Sequence, residues 1–121
     1  MYLVEKSFRF EAGHQLMHHD GECGTPHGHS YVLTVKIASE KVILEGPKRE
    51  MVIDFKDIAS IVKPMVDTYL DHCWLNTTLN TDSPSVEFIA KWIFDYLKPK
   101  LPELSAITVQ ETATSSVTYT R

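Results

Sequence analysis

Cys23-Gly24-Thr25-Pro26-His27-Gly28-His29 runs directly into Ser30-Tyr31-Val32-Leu33-Thr34-Val35-Lys36-Ile37, and this stretch carries both a candidate site and the alternation that decides the fold. Tyr31, Leu33, Val35 and Ile37 share one face of an extended segment while Ser30, Thr34 and Lys36 take the other, the pattern of a half-buried strand. His27 and His29 extend the apolar face. Residues two apart on a strand stand about 6.6 Å apart on the same side, so both rings can turn a nitrogen toward one ion at about 2.0 to 2.1 Å. Gly28 keeps the opposite face clear. A catalytic zinc usually takes three protein ligands and leaves one position open. His14 is the candidate third ligand, because Phe8, Phe10, Ala12 and His14 share one face of the preceding strand, and Ser7, Arg9, Glu11 and Gly13 the other. Three imidazoles that finish buried stripes point to a metal, and nitrogen ligands favour zinc.

The chain has 121 residues, 43% of them hydrophobic and 23% charged, with a formal net charge of -4. Those values fit one globular domain spanning residues 1–121. No Lys or Arg cluster offers a phosphate track, which argues against nucleic-acid binding. Glu5, Lys6 and Arg9 interrupt the only apolar run near the start, so neither a signal peptide nor a membrane span is expected and the chain reads as cytoplasmic. In that reducing setting Cys23 and Cys73 are expected to be free thiols.

Residues 3 to 13 alternate as a first strand, and a polar loop from Gln15 to Pro26 holds His18 and His19, read as solvated. The second strand covers His27 to Ala38. A turn at Gly46-Pro47 and a short strand, Met51 to Asp54, lead into a helix capped by Asp54. Phe55, Ile58, Val62, Met65 and Tyr69 recur along it at helical spacing, and Pro64 should kink or divide it. Asp71-His72 follows, a carboxylate beside an imidazole, the pair that orients a catalytic histidine. A second helix is expected from a Ser83 cap with Pro84 at its first position, with Phe88, Ile89, Trp92, Ile93, Tyr96 and Leu97 as its apolar stripe and Trp92 in the core. Strands over Ala106 to Thr112 and Ser116 to Thr120 close the chain. Ile107, Val109 and Glu111 share a face, so Glu111 either reaches solvent at the strand end or needs a partner with two N–H donors. The order predicts an α+β fold, a four-stranded antiparallel sheet with two helices on one face.

The chain resembles the 6-pyruvoyltetrahydropterin synthase superfamily, and most closely its bacterial queuosine-pathway branch, the 6-carboxy-5,6,7,8-tetrahydropterin synthases. The motifs that carry the resemblance are Phe8-Arg9-Phe10-Glu11-Ala12-Gly13-His14, Cys23 through His29, Val52-Ile53-Asp54-Phe55, Leu70-Asp71-His72, Leu75-Asn76, Pro84-Ser85-Val86-Glu87 and Gln110-Glu111-Thr112. Three residues between Cys23 and His27 look like the queuosine branch, whereas longer gaps mark the 6-pyruvoyl enzymes. Gly13 stands where the family usually has a second Ala, and Cys73 where it more often has His or Tyr.

The resemblance implies a tunnelling fold whose subunits join edge to edge into a barrel, as a homo-oligomer, a hexamer, with active sites shared between subunits. It implies zinc on His14, His27 and His29, Cys23 as general base, His72 oriented by Asp71 as proton carrier, and Glu111 as the grip on the pterin. The implied substrate is 7,8-dihydroneopterin triphosphate, converted to 6-carboxytetrahydropterin, acetaldehyde and triphosphate. Three other readings stay open at this point: the 6-pyruvoyl reaction without carbon-carbon cleavage, a pterin binder without activity, and a structural zinc module. The last lacks the paired Cys-x-x-Cys knuckles such modules use.

Overall fold

A computed structural model describes residues 1–121. Strand β1 (Tyr2–His14) and strand β2 (His27–Ser39) pair antiparallel along their whole length, with Phe8 opposite Leu33 and His14 opposite His27. After β2 the chain forms helix α1 (Phe55–Met65), strand β3 (Cys73–Trp74), the one-turn helix α2 (Leu75–Thr78), helix α3 (Val86–Leu97), strand β4 (Leu104–Thr112) and strand β5 (Ser115–Thr120). The sheet order is β3-β1-β2-β4-β5.

The sheet therefore has five strands, not four. The fifth is β3, which lies parallel to the end of β1 through Ala12 opposite Cys73 and Gly13 opposite Trp74. Two residues are too short to show a period, so nothing in the hydrophobic pattern announces this strand. The expected strand over Met51–Asp54 is absent. Met51 and Glu50 instead exchange backbone hydrogen bonds with Ile43 across the preceding loop, at 2.8 Å each, and Glu50 sits at φ 67°, which ends any ladder there.

Asp54 caps α1 as expected, its side chain accepting from the Lys56 N–H at 2.9 Å. Ile58, Val62 and Met65 form the buried stripe. Just beyond Pro64 the helix widens into a π-helical turn over Val66–Leu70, closed by the Asp71 N–H on the Val66 carbonyl at 2.8 Å. The winding thus changes just after Pro64, and Val66 and Leu70 of the wider turn stay buried in the core.

Helix α3 begins two residues later than expected. Ser85, not Ser83, is its cap, accepting from the Phe88 N–H at 3.1 Å. Pro84 consequently lies outside the helix, and its carbonyl is free for another partner. Trp92 is half-buried at the margin of the core, where its indole stacks on Tyr96 with ring centroids 5.3 Å apart.

Both long helices cover one face of the sheet. Tyr31, Leu33, Val35 and Ile37 of β2 and Ile107 and Val109 of β4 are almost fully buried there against Ile58, Val62, Ile89 and Ile93. Each such side chain contributes about 1.5–3 kcal/mol on leaving water. The other face is polar and uncovered, with Ser7 bonded to Thr34 and Thr108 to Thr118 across neighbouring strands. β1 has no strand beyond Ala12 and Gly13 on its outer side, and β5 is the opposite edge. No helix is long and apolar enough to cross a membrane.

Candidate metal centre and active site

The β1–β2 register decides the site. Pairing His14 with His27 and Ala12 with His29 puts three imidazoles at one end of the ladder on its buried face. Their candidate ligand atoms lie within 4.8 Å of one another. His14 is the one buried polar side chain of the core, at 1% exposure.

Hydrogen bonds fix which nitrogen each ring presents. His14 Nδ1 lies 2.7 Å from the Pro84 carbonyl and His27 Nδ1 lies 2.7 Å from the Thr25 carbonyl. A carbonyl only accepts, so both Nδ1 atoms carry the proton and both Nε2 atoms turn lone pairs inward. Those two Nε2 atoms are 2.9 Å apart. His29 Nε2 is buried with no hydrogen-bond partner. Converging lone pairs in a desolvated place repel one another unless a cation stands among them, so the donor set fits a metal ion. Burial also pushes the His14 pKa down, partly offset by the Pro84 hydrogen bond, which keeps the ring in its neutral, ligating form. Beneath the cluster the Tyr31 hydroxyl lies 3.4 Å from His14 Nδ1, and burial raises the Tyr31 pKa so that the phenol stays protonated.

Glu111 comes to the same place from β4, on the face that it shares with Ile107 and Val109. A register shift between Gln110 and Thr112 leaves Glu111 unpaired in the β4–β5 ladder. Its carboxylate then lies 3.8 Å from His14 Nε2 and 3.7 Å from His29 Nε2, with the side chain 21% exposed. It does not run out to solvent. This is the face that alternation with Ile107 and Val109 assigns to it.

Asp71 and His72 form the expected pair, with Asp71 Oδ2 2.9 Å from His72 Nδ1. The pair is tied to β1 from two directions. The Glu11 N–H donates to Asp71 Oδ1 at 2.9 Å, and the His72 N–H donates to the Glu11 carbonyl at 2.5 Å. The Glu11 N–H and then the His72 ring hold the Asp71 carboxyl below the usual carboxylate range. His72 has φ 58°, a left-handed conformation that non-glycine residues seldom adopt and that recurs at functional positions.

Cys23 lies in a single 3-10 turn, Glu22–Gly24, and is half-buried. It lines a cleft with His27 and His29. A second cleft, of about 610 Å³, runs from the same two histidines to His72 and Trp74. Cys23 and His72 thus each line a cleft that reaches His27 and His29. Cys73 is also a free thiol, but burial and then Asp71 raise its pKa, and its Sγ lies 3.3 Å from the Asp71 carbonyl. His18 and His19 stay in the loop: His18 pairs with Asp82 at 2.9 Å, and His19 Nδ1 accepts from the Gly21 N–H at 2.8 Å. Sequence reasoning missed Tyr31 as a neighbour of the site and the Pro84 and Thr25 carbonyls. Main-chain acceptors leave no residue-type signal.

The model of the family described as 6-pyruvoyl tetrahydropterin synthase matches residues 3–121. The chain belongs to that family. It is 42% identical to a 6-carboxy-5,6,7,8-tetrahydropterin synthase of Synechocystis sp. over 98% of this chain and 93% of the relative. A second enzyme of that name, from Haemophilus influenzae, is 35% identical over 98% of this chain and 99% of its own length. The structure of Caenorhabditis elegans 6-pyruvoyl tetrahydropterin synthase superposes with a TM-score of 0.84 at 27% identity, covering 99% of this chain and 95% of that one. The fold is the tunnelling fold of the 6-pyruvoyl tetrahydropterin synthase family.

Proposed function

We propose that this chain converts 7,8-dihydroneopterin triphosphate to 6-carboxy-5,6,7,8-tetrahydropterin, a reaction of queuosine biosynthesis that releases acetaldehyde and triphosphate and consumes one water. The observation that supports the reading is the three-histidine cluster together with two clefts that reach it, one lined by Cys23 and the other by His72. A side-chain rearrangement that moves protons between carbon and the pterin ring needs two separately placed proton carriers, and a single acid or base would not serve both ends. The names of the relatives from Synechocystis sp. and Haemophilus influenzae favour the carboxy product.

In this reading His14, His27 and His29 hold one zinc, with no thiolate among the ligands. Bound there, zinc would act as a Lewis acid toward the substrate's side-chain hydroxyls, lowering their pKa. Cys23 removes a proton from the carbon next to the ring. His72, with Nδ1–H held by Asp71, carries a proton at Nε2. Glu111 accepts two N–H bonds from the pterin's 2-amino group and ring nitrogen, the bidentate arrangement a carboxylate satisfies well. The chain works as a homo-oligomer, a hexameric barrel, supported by the open outer side of β1 and the free edge of β5.

One incubation with 7,8-dihydroneopterin triphosphate, followed by mass spectrometry, tests the reading. Acetaldehyde and 6-carboxytetrahydropterin are expected. A 6-pyruvoyl product with triphosphate but no acetaldehyde would assign the chain to the other reaction of its family, which the name of the Caenorhabditis elegans structure favours. No turnover by the zinc-loaded protein would sink both.

A further inference from the structure

The sheet places the three histidines, but it does not place Cys23. Between His14 and His27 the chain leaves the ladder, and apart from the Glu22–Gly24 turn it has no regular structure to set the thiol's position. What does so is a short relay of hydrogen bonds. Asn76 Oδ1 accepts from the Gln15 N–H at 2.9 Å, and Asn76 Nδ2 donates to the Gln15 carbonyl at 2.7 Å. The Asn76 amide thereby brackets one peptide residue as a neighbouring strand would, prolonging the β3–β1 contact past Gly13. Gln15 passes the constraint on. Its Nε2 donates to the Gly24 carbonyl at 2.7 Å, and the next N–H, of Leu16, donates to the Cys23 carbonyl at 3.0 Å. The far side of the turn is closed by His19, whose carbonyl would lie 2.8 Å from any Cβ at position 24, so only glycine fits there.

We propose that Gln15, braced by Asn76, is a positioning residue that holds the Cys23 thiol in register with the histidine cluster. This rests on the reading of Cys23 as the base. One segment, His72 to Asn76, then positions both proton carriers: His72 through the Glu11 backbone and Cys23 through Gln15. An ordinary loop-packing role would stabilise the fold without fixing where the thiol sits. A displacement on the scale of 1 Å from the reacting geometry costs about a hundredfold in rate.

The test uses the metal-loaded full chain carrying Gln15→Leu, which keeps the size of the side chain and removes the Nε2 donor. The readouts are kcat, KM, metal per chain, and the alkylation rate of Cys23 by iodoacetamide from peptide mass mapping, with Cys73 as internal reference. Expected are a kcat lower by about ten- to a hundredfold with KM changed less than about twofold. Metal content should be unchanged, and Cys23 should alkylate about threefold faster or more while Cys73 keeps its rate. Asn76→Ala should act in the same direction. Asn76→Asp, which keeps the acceptor for the Gln15 N–H but sets a carboxylate oxygen against the Gln15 carbonyl in place of the Nδ2 donor, should not recover the loss. Unchanged kcat and Cys23 reactivity in Gln15→Leu would overturn the proposal, and so would parallel acceleration at both cysteines, which reports general loosening. Cys23→Ala distinguishes the two layers: near-normal turnover in that variant defeats Cys23 as the base, whereas the alkylation rates still judge whether Gln15 holds it.

Discussion

His14 and His27 face each other through Nε2 atoms 2.9 Å apart, each on a ring whose Nδ1 proton is already given to a main-chain carbonyl. Neither ring can donate to the other in that tautomer. The cluster is therefore expected to carry one zinc per chain, and His14→Ala, His27→Ala and His29→Ala should each lose most of it. Metal analysis of the purified variants checks this. Full zinc in all three would remove the site. A strong chelator should abolish turnover and leave the helical circular dichroism largely intact, since the core rests on apolar burial and not on the metal.

Asp71→Asn separates orientation from charge. Asn can still accept from the Glu11 N–H through Oδ1, but it turns an amide NH2 toward His72 Nδ1 and disfavours the tautomer that the carboxylate selects. Turnover should fall by about two to four orders of magnitude with zinc retained. The sign of the pH effect follows from the depressed pKa of Asp71. Its contribution is present above the ordinary value of 3.8 and is lost only as pH falls through the lower folded value. Asp71 is thus ionised throughout pH 5 to 8, and the loss of turnover in Asp71→Asn should persist across that range; wild-type turnover anywhere within it would contradict the assignment.

Glu111→Gln keeps shape and replaces one acceptor oxygen with a donor. Pterin binding, followed by titration calorimetry, should weaken by about 2–5 kcal/mol, as when one partner of a buried charged pair is lost. Unchanged affinity would return Glu111 to a purely electrostatic neighbour of His14 and His29.

Cys23→Ala should keep its zinc and still bind substrate, while turnover drops by about two to four orders of magnitude. Loss of zinc with activity would make the thiol a fourth ligand instead.

The open side of β1 and the free edge of β5 predict edge-to-edge assembly. Sedimentation should show an oligomer, and a fully active monomer at all concentrations would refute the barrel.

Much of this was legible in the sequence because β1 and β2 are long and alternate with period two. Facing alone brought His14, His27 and His29 together, and the structure bears that out through the His14–His27 register. The misses share a cause. β3 is too short to have a period, and the apolar residues of Met51–Asp54 imitate a strand although no neighbouring strand is there to pair with them. Ser83 and Ser85 flank the same proline, and both can cap a helix. The start at Val86 leaves the Pro84 carbonyl outside the helical ladder, where His14 uses it. Glu111 was legible in the same way as the histidines, since alternation along β4 puts it on the buried face with Ile107 and Val109, and it lies there beside His14 and His29.

Because the acceptors that set the tautomers of His14 and His27 belong to the main chain at Pro84 and Thr25, point substitutions at those positions leave them in place. What moves them is chain length. An insertion or deletion between Leu79 and Ser85, or between Cys23 and His27, would carry a carbonyl away from its ring while every ligand remained. Divergence in metal affinity among relatives of this chain should accordingly follow gaps in an alignment of these two loops more closely than mismatches in them.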